Sequence, residues 1–145
     1  MAITTALCNS FKEELLGGVH DLDTDTIKIA LIKASPSGTY NASTTNYSDV
    51  TTNSDEVTGT GYTSGGDTLT SASISLDGSV AIVDFADTTW TNATISADGC
   101  IFYNDTKADR AIAVIDFGGT VTSTSGNFTV SFPAADASNA IIRIS

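Results

Sequence analysis

From residue 68 onward the chain is a succession of short apolar-alternating runs, each closed by Gly, Asp, Asn or Pro. That punctuation limits the fold more than any other feature. The runs cover 68–76, 79–85, 89–96, 100–104, 111–117, 127–132 and 140–144. Before them, Ile27, Ile29 and Leu31 alternate with Lys28 and Ala30 as a half-buried strand requires, and Pro36-Ser37-Gly38 supplies turn chemistry after it. Asp77-Gly78 is a hairpin signal. About eight short strands at this spacing predict a mainly β chain, a single β-sandwich or jelly-roll-like domain. At 145 residues the chain is long enough to bury a core without a disulfide or metal, and nothing marks a second domain.

The segment 1–18 follows a different period. Ile3, Leu7, Phe11 and Leu15 recur every four residues, Thr4 or Thr5 is placed to cap, and Gly17-Gly18 is a stop signal. This predicts an N-terminal amphipathic helix ahead of a β-domain at 19–145. A helix of about four turns is unstable alone and must dock, on its own domain or on a neighbouring subunit. If the neighbour is right, Phe11→Asp weakens assembly and leaves the fold intact. Residues 37–67 are a long Ser/Thr/Asn/Gly stretch anchored by few apolar residues, among them Tyr40, Tyr47, Val50, Val57 and Tyr62. Loops of that length are functional or disordered, and the aromatics predict an ordered one that packs on the domain or a partner.

The net charge is −11, from 17 acidic and 6 basic residues. Such a field opposes nucleic-acid phosphates and anionic membranes, so neither is an expected partner. No run approaches the ~20 apolar residues of a membrane span. The N-terminus lacks a basic n-region, so the expectation is synthesis in the cytosol without export. Cys8 and Cys100 stand far apart and are expected to be buried free thiols.

The search for chemistry finds little. His20 is the only histidine, no serine sits in a G-x-S-x-G elbow, and a triad needs both a base and a nucleophile. Asp21-x-Asp23-x-Asp25 opens like a calcium loop, but Thr26 and Ile32 occupy the positions that need Gly and Glu. A solvated acidic turn is the expectation. Asp84 and Asp116 each follow an apolar run and could lie on adjacent strand ends as a glycosidase pair, although capping of turns is the simpler role. They also belong to an internal echo, 81–88 against 113–120, which two pseudo-equivalent strands or two ordinary buried strands would produce. Gly59-Thr60-Gly61 and Gly65-Gly66 lack the lysine of a phosphate loop and precede strands. The expectation is a non-enzymatic protein with no cofactor and no metal.

The chain resembles a family of small virion structural proteins of tailed bacteriophages. The resemblance is carried by Met1-Ala2-Ile3-Thr4-Thr5-Ala6-Leu7-Cys8-Asn9-Ser10-Phe11-Lys12 and Glu56-Val57-Thr58-Gly59-Thr60-Gly61-Tyr62. Further on it is carried by Val83-Asp84-Phe85-Ala86-Asp87, Ala113-Val114-Ile115-Asp116-Phe117-Gly118 and Phe132-Pro133-Ala134-Ala135-Asp136. It implies a protein of the phage particle, most simply a capsid decoration or cement protein bound to the major capsid protein or other virion proteins. By analogy with decoration proteins a homo-oligomer, a trimer, is implied. A tail, neck or fibre-associated position is the alternative. A carbohydrate-binding adhesion module is another, and it would need an exposed aromatic platform around Trp90 or Tyr103. For protein contacts the candidate anchors are Ile3, Leu7, Phe11 and Leu15 of the helix and Tyr40, Tyr47 and Tyr62 of the loop.

Overall fold

The computed structural model describes residues 2–145. The chain is mainly β, and the described residues form eight strands in two antiparallel sheets and a short helix near the N-terminus. In chain order the elements are β1 (Ala6–Leu7), α1 (Asn9–Leu16), β2 (Ile27–Lys33), α2 (Ser48–Thr52), β3 (Asp67–Thr68), β4 (Ser73–Asp77), β5 (Val80–Asp84), β6 (Thr88–Asn104), β7 (Arg110–Val130) and β8 (Ile142–Ile144). The large sheet has the order β1-β7-β6-β2-β3 and the small one β4-β5-β8. This is a β-sandwich of unequal layers.

The number of strands matches the expectation but their composition does not. The runs 89–96 and 100–104 are one 17-residue strand, β6, and the runs 111–117 and 127–132 lie within the 21-residue β7. What reads as a turn at Asp98-Gly99 is a bulge inside β6. A Cβ on Gly99 would stand 2.3 Å from the Ile115 carbonyl oxygen, so glycine is there for close backbone approach. Opposite it, β7 loops out: Gly99 pairs with Asp116 while Ala97 pairs with Val121, which leaves Phe117-Gly118-Gly119-Thr120 extruded. The true reversal of this hairpin is Asp105–Lys107, a single 3-10 turn, followed by Ala108 and Asp109 at φ 56° and 58°.

Register assigns the residues of the large sheet to two faces. Ile27, Ile29 and Leu31 share one face with Cys100, Phe102 and Asn104 of β6. On that face Phe102 meets Phe132 at 5.6 Å between ring centroids, and Phe132 meets Phe85 just after β5. Lys28, Ala30 and Ile32 share the opposite face with Gly99, Ile101 and Tyr103. There Tyr47 of the long loop stacks on Tyr103 at 4.5 Å, and Ile3 sits against Gly99. Both faces of β2 are therefore covered, and Ile29, Ala30, Leu31 and Ile32 are all fully buried where a half-buried strand was expected.

The N-terminal helix is shorter than its apolar spacing predicts. Ile3 bridges to Tyr40, Ala6 and Leu7 pair with Val114 and Ala113, and α1 starts only at Asn9 with Cys8 at its N-cap. A spacing of four residues satisfies a strand as well as a helix, since four is twice the strand period. The β-branched Ile3, Thr4 and Thr5 favour the extended form. Gly18, at φ 73°, takes the left-handed position after the helix. Thr5 Oγ1 caps nothing in α1; it accepts from the Asp116 backbone N–H.

Candidate functional site

The groups that chemistry would use are engaged in internal locks. His20 is buried against the Phe11 ring, 5.0 Å away, and its Nε2 lies 2.9 Å from Glu14 Oε2. Asn104 Nδ2 lies 3.0 Å from His20 Nδ1 and donates to Asp25 Oδ2 at 2.8 Å. An amide N–H facing Nδ1 makes that nitrogen the acceptor, so Nε2 carries the proton that Glu14 accepts. Glu14 also meets Arg110 at 3.3 Å. This chain of contacts ties α1, the acidic connector and the β6–β7 turn together.

Two carboxylates organise the long loop. Asp55 is fully buried and accepts from Tyr40 Oη at 2.6 Å, Gly38 N at 2.7 Å, Ser37 N at 2.9 Å and Ser37 Oγ at 3.1 Å, with Lys33 Nζ 3.0 Å away. Burial alone pushes its carboxyl up, but those donors outweigh it and hold the group well below the usual carboxylate range. Glu56 accepts from Tyr47 Oη at 2.6 Å, Ser64 Oγ at 2.8 Å, Tyr62 Oη at 2.9 Å and Gly65 N at 2.6 Å. Burial, and then the bond to Glu56, push Tyr47 up to about 12. Tyr62 Oη in turn accepts from Leu31 N–H, which fastens the loop to β2. The loop is ordered because its polar groups converge on these two acids.

The remaining sequence candidates fall into place singly. Asp21 accepts from the backbone of Asp23 and Thr24, and Asp25 from Asp21 N and Asn104, so the acidic triplet closes its own turn. Among the described residues no three His, Cys, Asp or Glu side chains converge as a metal would require. Asp84 lies in the small sheet and Asp116 in the large one, so they are not on adjacent strands. Asp116 accepts from Gly118 N–H, a turn-capping role. The echoing segments thus occupy different layers. Cys8 and Cys100 are both buried free thiols.

All seven proposed contact residues belong to the chain's own core or pack on it. Ile3, Phe11 and Tyr40 are buried, and Leu7, Leu15, Tyr47 and Tyr62 are half-buried against the same cluster. Trp90 and Tyr103 are also buried, Trp90 between Tyr62 and Phe128, so neither forms an exposed platform for a sugar.

The candidate site is elsewhere. Three strands of five, five and three residues cannot cover the face of a sheet built on strands of 17 and 21. The uncovered part is an apolar groove of about 440 Å³, lined by Phe102, Ile115, Phe117, Phe128, Val130 and Phe132 among others. Among the described residues no ionisable side chain other than Cys100 lines it, in a protein of net charge −11. Phe117, on the extruded segment of β7, and Phe132 are half-buried at its walls. The signal was present in the sequence as Phe128, Val130 and Phe132 at period two, and it reads there as ordinary core. No protein family, curated protein or solved structure matches the chain.

Proposed function

We propose that the chain is a non-enzymatic structural protein of a tailed-phage particle, a decoration or cement protein that holds neighbouring virion proteins through apolar contacts. The observation that carries this reading is the phenylalanine-lined groove. It is open, free of charged side chains, and sized for the apolar anchor of a protein neighbour rather than for a charged ligand. The ordered loop and the buried locks support it further, because a part used in many copies must present a fixed shape. The resemblance of the sequence segments to small virion proteins of tailed phages supplies the setting. The partner is the major capsid protein or another virion protein.

A reconstruction of the intact particle, with this chain located and counted, tests the proposal. Copies in the hundreds on the shell, with the groove occupied by a capsid side chain, support decoration. A handful at the tail or neck replaces it with a tail-associated role. Absence from the particle refutes both.

A further inference from the structure

The outer edge of the small sheet carries a second contact, and its geometry identifies the occupant. β4 is Ser-Ile-Ser-Leu-Asp, and all five residues are exposed. It has no proline and no bulge against β5, and its one charged residue, Asp77, sits at the hairpin end, so most of the edge lacks the devices that normally blunt a strand. Its loop to β5 is the two residues Gly78 and Ser79, with Gly78 at φ 63°, which makes Asp77 and Val80 a hydrogen-bonded pair. Alternation along the ladder then turns the backbone N–H and C=O of Ile74 and Leu76 away from β5, toward the open edge. Their side chains lie on the same face as Val83, Ala81, Ile142 and Ile144.

We propose that β4 pairs antiparallel with β4 of a second copy about a two-fold axis at Ser75. In that register Ile74 stands opposite Leu76 of the second copy and Leu76 opposite its Ile74. These are the residues whose backbone groups are free, so four hydrogen bonds close the pair. Ile74 and Leu76, 53% and 72% exposed in the single chain, come together on one face and join the apolar row of both small sheets. Asp77 falls opposite Ser73 rather than opposite a second carboxylate. Its own oxygen is already taken by Ala137 N–H at 2.7 Å.

Self-complementarity selects a second copy of this chain as the occupant: about Ser75 the free backbone groups of Ile74 and Leu76 satisfy each other and each Asp77 meets a serine. Two bodies of net charge −11 repel over most of their surface, but residues 68–76 contain no ionisable group, so the penalty is least there. The apolar groove of about 370 Å³ that Ile74 and Ile144 share with Leu15 and Leu22 lies beside this row. Pairing through the five residues of β4 alone covers well under the roughly 800 Å² per partner of a standard interface. The dimer is therefore concentration-dependent and suited to a crowded array. Pairing of β4 with β8 of a second copy would leave free ends and grow without closing, whereas the symmetric pair stops at two. This inference stands apart from the virion reading.

The test uses the full chain. Sedimentation velocity from micromolar to near-millimolar protein should show monomer passing to dimer and no further. Leu76→Lys, with an unchanged circular dichroism spectrum, should move the midpoint at least about tenfold higher. Ser75→Cys should form a covalent dimer under mild oxidation, because the Ser75 pair is the closely spaced, non-hydrogen-bonded kind whose Cα separation a disulfide accepts. Ser73→Cys faces Asp77 in this register and should cross-link at least about tenfold more slowly. Cys8 and Cys100 are buried and contribute no background. Monomer at every concentration, equal cross-linking of the two variants, or assemblies that grow beyond two would each overturn the pairing.

Discussion

Asp55 offers the sharpest test of how the long loop is held. Replacing it with Asn keeps the shape and removes the charge. Oδ1 faces Ser37 N–H and the Lys33 ammonium, so the new amide nitrogen must turn toward the Oδ2 side, where Gly38 N–H and Tyr40 Oη sit at 2.7 and 2.6 Å. Tyr40 can rotate its hydroxyl to accept, but Gly38 N–H cannot, and one buried donor then faces another. A charge-assisted bond is worth about 1.5–3 kcal/mol and an orphaned buried donor costs about 1–3 kcal/mol. The substitution should therefore cost about 3 kcal/mol, or roughly 6–12 °C in Tm for a chain of this size.

The pH dependence separates this cause from simple loss of packing. Asp55 has its carboxyl depressed in the folded state, so its contribution is complete above the unfolded value of about 4 and is lost as pH falls through the folded value. The stability gap between wild type and Asp55→Asn, measured by urea unfolding, should be constant from pH 7 to about 5 and narrow below about 4. A gap under about 0.5 kcal/mol, or one that stays unchanged down to about pH 3, refutes the reasoning.

Other residues give independent checks. Phe11→Ala should cost about 3–5 kcal/mol, and Phe11→Asp should abolish cooperative unfolding by circular dichroism, because the ring is 1% exposed beside His20. An intact fold in Phe11→Asp would return the helix to an interface role. Gly66→Ala puts a Cβ 1.8 Å from the Ile29 carbonyl oxygen at φ 74°, and should cost several times the roughly 1 kcal/mol of Gly78→Ala, where no atom lies within 4 Å; thermal melts compare the two. Burial, with Asp49 nearby, pushes the Cys8 thiol up to about 12, and burial pushes Cys100 higher still. Neither should react with a disulfide reagent at pH 8 until the chain is unfolded, as a colorimetric thiol assay reads directly.

Period-two alternation and turn residues located most of the β structure, since both are local properties of the backbone. They misread Asp98-Gly99 because a bulge and a turn ask for the same residues. The pair is distinguished by distant partners: Ser35 N–H and Thr120 Oγ1 reach Asp98, and the Ile115 carbonyl approaches Gly99. The N-terminal segment misled for a related reason, a spacing common to two periods. Asp55 and Glu56 left no local trace, because their partners lie 6 to 22 residues away and nothing in an acidic loop says which carboxylate turns inward. The tyrosines were legible as anchors to the domain or to a partner, and they anchor the loop to their own chain.

The unequal layers explain why this sandwich offers contacts at all. A small sheet as broad as the large one would cover Phe117 and Phe132 and leave no groove. Three short strands instead leave one part of the large face open and expose their own margin, where Ile74 and Leu76 alternate with serines. Uncharged, apolar surface at two places on a body of net charge −11 makes association selective, since repulsion penalises every other approach. That combination follows from strand length and from where the charges lie along the chain.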